Sequence, residues 1–257
     1  MHVSFSQRRP ILFSVAILAI VMVIYLIAGT VTYVFKLPTL ATYIIGNSIL
    51  AVVAVLLLSR LHWWRESGFR LPSRPHFLWL FIIPCLPVFS NAFSGIGYPG
   101  LAQLLLFFAL ALVVGFVEEA YFRGMILHAL APRGPWQAVI VSSILFGIGH
   151  LFNLAGGASL EATLFQIVYA LAIGLMYAAL RLRTQTLLPL ILLHGLTDFF
   201  GFLAQNSAVE ANNLSVLSVV IIVGEIVIYT VYCIILMRQV KPQPLRTNTR
   251  QRSIPPL

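Results

Sequence analysis

Acidic side chains are nearly missing from this chain: Asp and Glu number 7 in 257 residues, and charged residues of every kind make up 9%. A water-soluble globule needs far more polar surface than that, so the composition excludes one. Cysteine is almost as scarce. Its 2 copies, Cys85 and Cys233, lie inside apolar stretches without metal-like spacing, which excludes a disulfide framework and leaves them a packing role. No internal repeat, low-complexity core or second soluble domain interrupts the chain, and the HExxH signature of soluble zinc proteases is absent.

What remains is hydrophobic. Apolar residues reach 60% and the mean hydropathy is +0.97, so most of the surface must face something as apolar as itself. The chain therefore reads as all-α, a polytopic membrane helix bundle with about eight transmembrane helices. Spans of ~20 apolar residues, enough to cross ~30 Å of hydrocarbon at 1.5 Å per residue, fit at 11–35, 40–59, 77–94, 101–122, 136–153, 162–180, 187–204 and 214–237. The first follows Arg8 and Arg9, but its apolar run outlasts the core of a signal peptide and no A-x-A site follows, so an uncleaved helix is expected. Pro84 and Pro87 should kink the third span, and Gly95, Gly97, Pro99 and Gly100 should make a short outer turn.

A formal net charge of +9 would suit nucleic acid, but its distribution argues for a bilayer. Arg8 and Arg9, then Arg60, Arg65, Arg70 and Arg74, then Arg133, then Arg181 and Arg183, then Arg238, Lys241, Arg246, Arg250 and Arg252 occupy alternate connections, and the others hold only Lys36. Positive charge stays inside, so both termini are expected in the cytoplasm, with the lipid bilayer and not nucleic acid as the partner. The segment from Lys241 on reads as a basic, lipid-attracted tail. His62, Trp63 and Trp64 suit an interfacial anchor at the end of the second span. The chain thus divides into helices 1–3 over 1–100, a core of helices 4–7 over 101–203, helix 8 over 204–240 and the tail over 241–257.

The few carboxylates point to a site. Glu66, Glu161 and Glu210 lie in or beside connections and Glu225 lies in the last span, whereas Glu118, Glu119 and Asp198 sit in segments that also carry or adjoin histidines. A carboxylate in hydrocarbon costs at least about 2.5–3.5 kcal/mol, so the adjacent pair Glu118 and Glu119, in the apolar stretch Leu101 to Leu130, demands compensation. Glu119 and Arg123 are four apart and share a helix face, which suits an ion pair, while Glu118 points about 100° away and is left to face a cavity. A purely structural salt bridge would need only one of the two. Phe146 and His150 are four apart at the end of span five, and His194 and Asp198 four apart in span seven. Counted at 1.5 Å per residue, His194 lies roughly 15 Å in from Thr184, and His150 and Glu118 roughly 20 Å from Pro135 and Pro132, all inside the slab. His128 and His76 read as interfacial, and His2 as tail.

Taken in order, Glu118, Glu119 and Arg123 match Glu-Glu-x-x-x-Arg, Phe146 and His150 match Phe-x-x-x-His, and His194 and Asp198 match His-x-x-x-Asn/Asp. In these three motifs, over about residues 101–203, the chain resembles the CPBP intramembrane endopeptidases, which include the type II CAAX prenyl endopeptidases and bacterial lysostaphin-resistance and bacteriocin-processing or immunity proteins. Asp198 is a departure, since the prenyl endopeptidases usually carry Asn there. The resemblance implies a membrane-embedded endopeptidase acting on a peptide or protein, with Glu118 and His150 activating a water. His194 and Asp198 are then placed to polarise the scissile carbonyl and steady the tetrahedral intermediate. Glu119, Arg123 and Phe146 would support them. No serine or cysteine stands in a nucleophile motif, so water attack without an acyl-enzyme is expected.

Cofactor use stays open at this point. No cofactor is required, but Glu118, His150, His194 and Asp198 contain the donors for a His/His/carboxylate zinc site with a position for water. Two other functions are compatible with intramembrane ionisable groups: a proton-coupled transporter, and a non-catalytic bacteriocin-immunity or scaffold protein. The first lacks paired broken spans in two halves, and the second would be expected to have lost a motif residue. The expected location is a bacterial plasma membrane, where a leader peptide or a membrane-protein terminus is a more plausible client than a prenylated protein.

Overall fold

The computed structural model describes residues 5–72, 74–205 and 216–240; His2, Glu210 and the basic tail from Lys241 lie outside them. The described residues form helices and connections, with no strand. Eight helices carry the bundle: α1 Pro10–Val34, α2 Thr39–Leu61, α3 Leu86–Phe93, α4 Leu101–Glu118, α5 Pro135–Gly149, α6 Leu160–Thr184, α7 Leu188–Gln205 and α8 Val216–Met237. Leu, Ile, Val and Phe cover the outside, as at Val52, Phe93, Leu105 and Val227, where lipid replaces water as the surrounding medium.

Of the eight expected spans, six are matched by helices long and apolar enough to cross a membrane. A seventh forms if Pro75–Phe81 and Ile83–Phe93 count as one, for they meet at a 46° bend. Pro84 and Pro87 sit at that bend, as their missing N–H groups require. The remaining segment, Leu188–Ala204, is apolar but shorter than a full span, and it carries His194 and Asp198.

Close helix crossings hold the bundle together, and the first positions that short helix. A Cβ on Gly115 of α4 would come within 2.6 Å of the Ile191 carbonyl oxygen and 2.8 Å of the Gly195 nitrogen, and one on Gly195 within 3.0 Å of the Ala111 carbonyl oxygen. Only paired glycines let α4 and α7 touch backbone to backbone. Since Gly115 precedes Glu118 by three residues and Gly195 follows His194, this contact delivers the acidic pair to the histidine. At the second crossing, Gly174 of α6 faces Ser143 of α5, and Gly147 faces the Ile167 carbonyl.

The connection between α2 and α3 is fastened to the α6–α7 junction. Arg181 donates from Nε to the Ser67 carbonyl at 2.9 Å and from Nη2 to the Glu66 carbonyl at 2.6 Å. Arg70 donates to Gln185 O at 2.8 Å and Gln185 Oε1 at 3.1 Å, and the Leu187 N–H donates to Gly68 O at 2.8 Å. Trp63, expected only as an interfacial anchor, also packs inward, its ring 4.7 Å from that of His128 and 5.6 Å from that of Phe13. Cys85 and Cys233 are free thiols.

Candidate active site

The helical winding changes at the acidic pair. From Glu119 to Ile126 the chain that continues α4 is π-helical, and every residue of that segment is buried. The wider turn is a feature common at functional sites, because it alters which side chains share a face. Here it separates two neighbouring carboxylates. Glu119 is fully enclosed, and its Oε1 accepts from Arg123 Nη1 and from His194 Nδ1, each at 2.8 Å. Glu118 keeps 22% of its side chain exposed, with Oε2 3.4 Å from His194 Nε2.

His194 is thereby held on both ring nitrogens. Its Nδ1–H donates to Glu119, which fixes the ring's orientation, and its Nε2 faces Glu118 and, at 3.8 Å, Asp198 Oδ2. The Asp198 contact is an approach of charges, too long for a hydrogen bond. The open faces of Glu118, His194 and Asp198 are 22%, 14% and 26% exposed, whereas Glu119 and Arg123 are shut away behind them at 0% and 1%.

Aromatic rings complete the enclosure. The Arg123 guanidinium lies 3.9 Å over the Phe146 ring and 5.6 Å from that of Tyr177, so this buried cation is surrounded by ring faces as well as its carboxylate. Phe146 also meets Phe122 at 5.1 Å, His150 at 5.0 Å and His194 at 6.2 Å between ring centres. His150 follows the last residue of α5, and its Nδ1 lies 3.0 Å from the Phe146 carbonyl. A carbonyl only accepts, so Nδ1 carries the proton and Nε2 is left as the basic nitrogen.

The structure thus gathers Glu118, Glu119, Arg123, His194 and Asp198 directly, and brings His150 in through Phe146. Tyr177 was not legible as part of this site. It is buried, its ring is 6.2 Å from that of His194, and its hydroxyl has no hydrogen-bond partner; a tyrosine amid apolar residues of a span was the only available signal. Glu119 Oε2, Arg123 Nη2 and Asp198 Oδ2 are further buried polar atoms without a hydrogen bond, which is the pattern of a site that takes water or a polar ligand.

The donor set for a metal was tested on the same geometry. Among the described residues, no group of three or more His, Cys, Asp or Glu side chains is placed to hold a metal ion. Of the four residues considered for zinc, Glu118, His194 and Asp198 lie together, while His150 joins them through the Phe146 ring.

Comparison with curated proteins and with solved structures gave no match. Residues 100–200 match the family described as "Type II CAAX prenyl endopeptidase Rce1-like", and the three motifs and every residue gathered above fall within them. The resemblance to the CPBP intramembrane endopeptidases therefore stands over the segment that builds the site.

Proposed function

We propose that the chain is an intramembrane endopeptidase of the glutamate type, cutting a peptide bond of a peptide or membrane-protein substrate without an acyl-enzyme. The observation that carries this reading is the division between the two carboxylates: Glu119 is bound to Arg123 and His194, and Glu118 is left partly open beside the same imidazole. A group reserved in this way is a general base in waiting.

In the proposed reaction a water hydrogen-bonds to Glu118 and lies beside His150. Glu118 takes one proton as the water oxygen attacks the carbonyl carbon, and the carbonyl π electrons move to oxygen. His194, as an imidazolium whose Nδ1–H is held by Glu119, donates from its Nε2–H toward the oxyanion together with whatever hydrogen bond Asp198 makes there. When the C–N bond breaks, the nitrogen takes the proton from Glu118, leaving a carboxylic acid and an amine. Both termini are proposed to lie in the cytoplasm of a bacterial cell, which places the arginine-rich connections on the side from which substrate arrives.

The test is cleavage by purified protein in bilayer discs, read with fluorogenic peptides that include a prenylated CAAX peptide and signal-peptide-like sequences. Glu118→Gln is expected to abolish cleavage while the protein melts near the wild-type temperature. Undiminished cleavage by Glu118→Gln would remove the proposal.

A further inference from the structure

The segment that matches a known family begins at residue 100, yet α1 and α2, outside it, each send a polar residue toward the site. Asn47 is fully buried in α2. Its Nδ2 donates to the Tyr43 carbonyl at 2.8 Å, which fixes the amide orientation, and its Oδ1 accepts from the Tyr25 hydroxyl at 3.0 Å. A neutral phenol has one proton. With that proton committed to Asn47, the lone pairs of Tyr25 Oη are what it offers to anything else.

The level of this pair in the bundle follows from one further bond. The Tyr121 hydroxyl donates to the Leu50 carbonyl at 3.0 Å, tying α2 to the helix that bears the glutamates. With the bent pair Pro75–Phe93 counted as one span between them, α2 and α4 run in the same direction. Three residues back from Tyr121 is Glu118, and three back from Leu50 is Asn47, so one turn above the tie both arrive at one depth. Tyr25 is also held from the other flank, its ring 5.6 Å from that of Phe152, two residues past His150. Gly46 clears the space, since a Cβ there would stand 3.0 Å from the Tyr25 ring.

We infer that Tyr25, oriented by Asn47, is a positioning residue for the proposed hydrolysis: its hydroxyl oxygen accepts a hydrogen bond from the second proton of the water held by Glu118. A water aimed by two acceptors has its lone pair directed at the carbonyl carbon, whereas one held by Glu118 alone can swing. This inference rests on the endopeptidase reading. It assigns part of the site to helices that the three motifs do not reach.

The experiment measures kcat and KM on one cleaved peptide for wild type, Tyr25→Phe, Asn47→Ala, the double variant and Glu118→Gln. Tyr25→Phe keeps the ring and its contacts with Phe152, so folding is preserved. Loss of one aimed hydrogen bond should lower kcat about tenfold with KM unchanged. Asn47→Ala should lower it too, and the double variant should be no slower than Tyr25→Phe, because Asn47 acts through the hydroxyl. A structural role would instead give additive losses that track thermal stability, and that result overturns the inference. So does a wild-type kcat in Tyr25→Phe, or a loss confined to KM, alongside an inactive Glu118→Gln. If Glu118→Gln cleaves normally, the endopeptidase reading has failed, and the inference with it.

Discussion

Among the described residues two arginines lie buried, Arg123 at 1% exposure and Arg181 at 4%, and they are neutralised in opposite ways. Arg123 faces a carboxylate, which is itself bound to a histidine, and two aromatic rings. Arg181 faces the Ser67 and Glu66 carbonyls of a connecting loop. The first arrangement couples charges, so each member depends on the next. The second spends a charge on fastening a loop. Gly68 shows how closely that fastening is fitted: its φ is +96°, and a Cβ on it would stand 2.4 Å from Arg181 Nε. A buried cation is therefore not by itself the mark of a site; what marks it is a partner that has work to do elsewhere.

The largest effect that can break this comparison comes from the coupled arginine. Arg123→Ala leaves Glu119 buried without its cation, and Glu119→Ala leaves Arg123 without its anion. Each should destabilise the protein by about 3–5 kcal/mol, the usual cost of stranding one member of a buried pair. Unfolding in detergent measures it. Replacing both at once, Glu119→Gln with Arg123→Met, should recover most of that stability, because no charge is stranded. It should not recover cleavage, since the anion that Glu119 presents to His194 Nδ1 is gone. A double variant that cleaves normally would show the pair to be scaffolding like Arg181.

The loop arginine should behave more mildly. Arg181→Ala removes two charge-assisted hydrogen bonds to carbonyls, worth about 1.5–3 kcal/mol each in unfavourable cases and less where water enters. Trypsin should then cut faster at Arg65 or Arg70, while the folded fraction keeps its KM and kcat. Gly68→Ala should do the same from the opposite side of the contact. Loss of kcat in folded Arg181→Ala protein would mean that the loop takes part in the reaction.

How much of this was legible in the sequence differs between the two arginines for a physical reason. Arg123, Glu119, His194 and Asp198 are placed by short-range spacing along helices, and a charge in hydrocarbon draws attention to itself, so the site could be read from the chain. The bundle was legible too, because length and hydropathy define a span. Arg181 looked like one more cytoplasmic charge, since its partners are carbonyls, which have no letter in the sequence. Tyr25 and Asn47 were hidden for the same reason of distance: their relation to Glu118 is made by helices packing across α1, α2 and α4. The shortness of Leu188–Ala204 was obscured because apolar flanks let the span be drawn longer than the helix that forms.

The smallest expected effect tests the position at which the chain departs from the prenyl endopeptidases. Asp198 Oδ2 is buried without a hydrogen bond and lies 3.8 Å from His194 Nε2, so its charge is not what orients the imidazole; Glu119 does that at 2.8 Å. Asp198→Asn keeps the shape and the carbonyl oxygen and adds an N–H that can face an oxyanion. Most activity should survive. Asp198→Ala removes every polar atom and should be slower by roughly the 10²–10³ seen when an oxyanion donor is lost, if that is the position's role. A zinc ligand would behave differently, because Asn is a poor replacement for an anionic oxygen and metal and rate would fall together. Measuring bound metal in wild type and Asp198→Asn, with cleavage before and after chelation, separates the two. Stoichiometric zinc that vanishes along with activity in Asp198→Asn would overturn the metal-free mechanism, and the side chains around His194 would then have to rearrange to bind it.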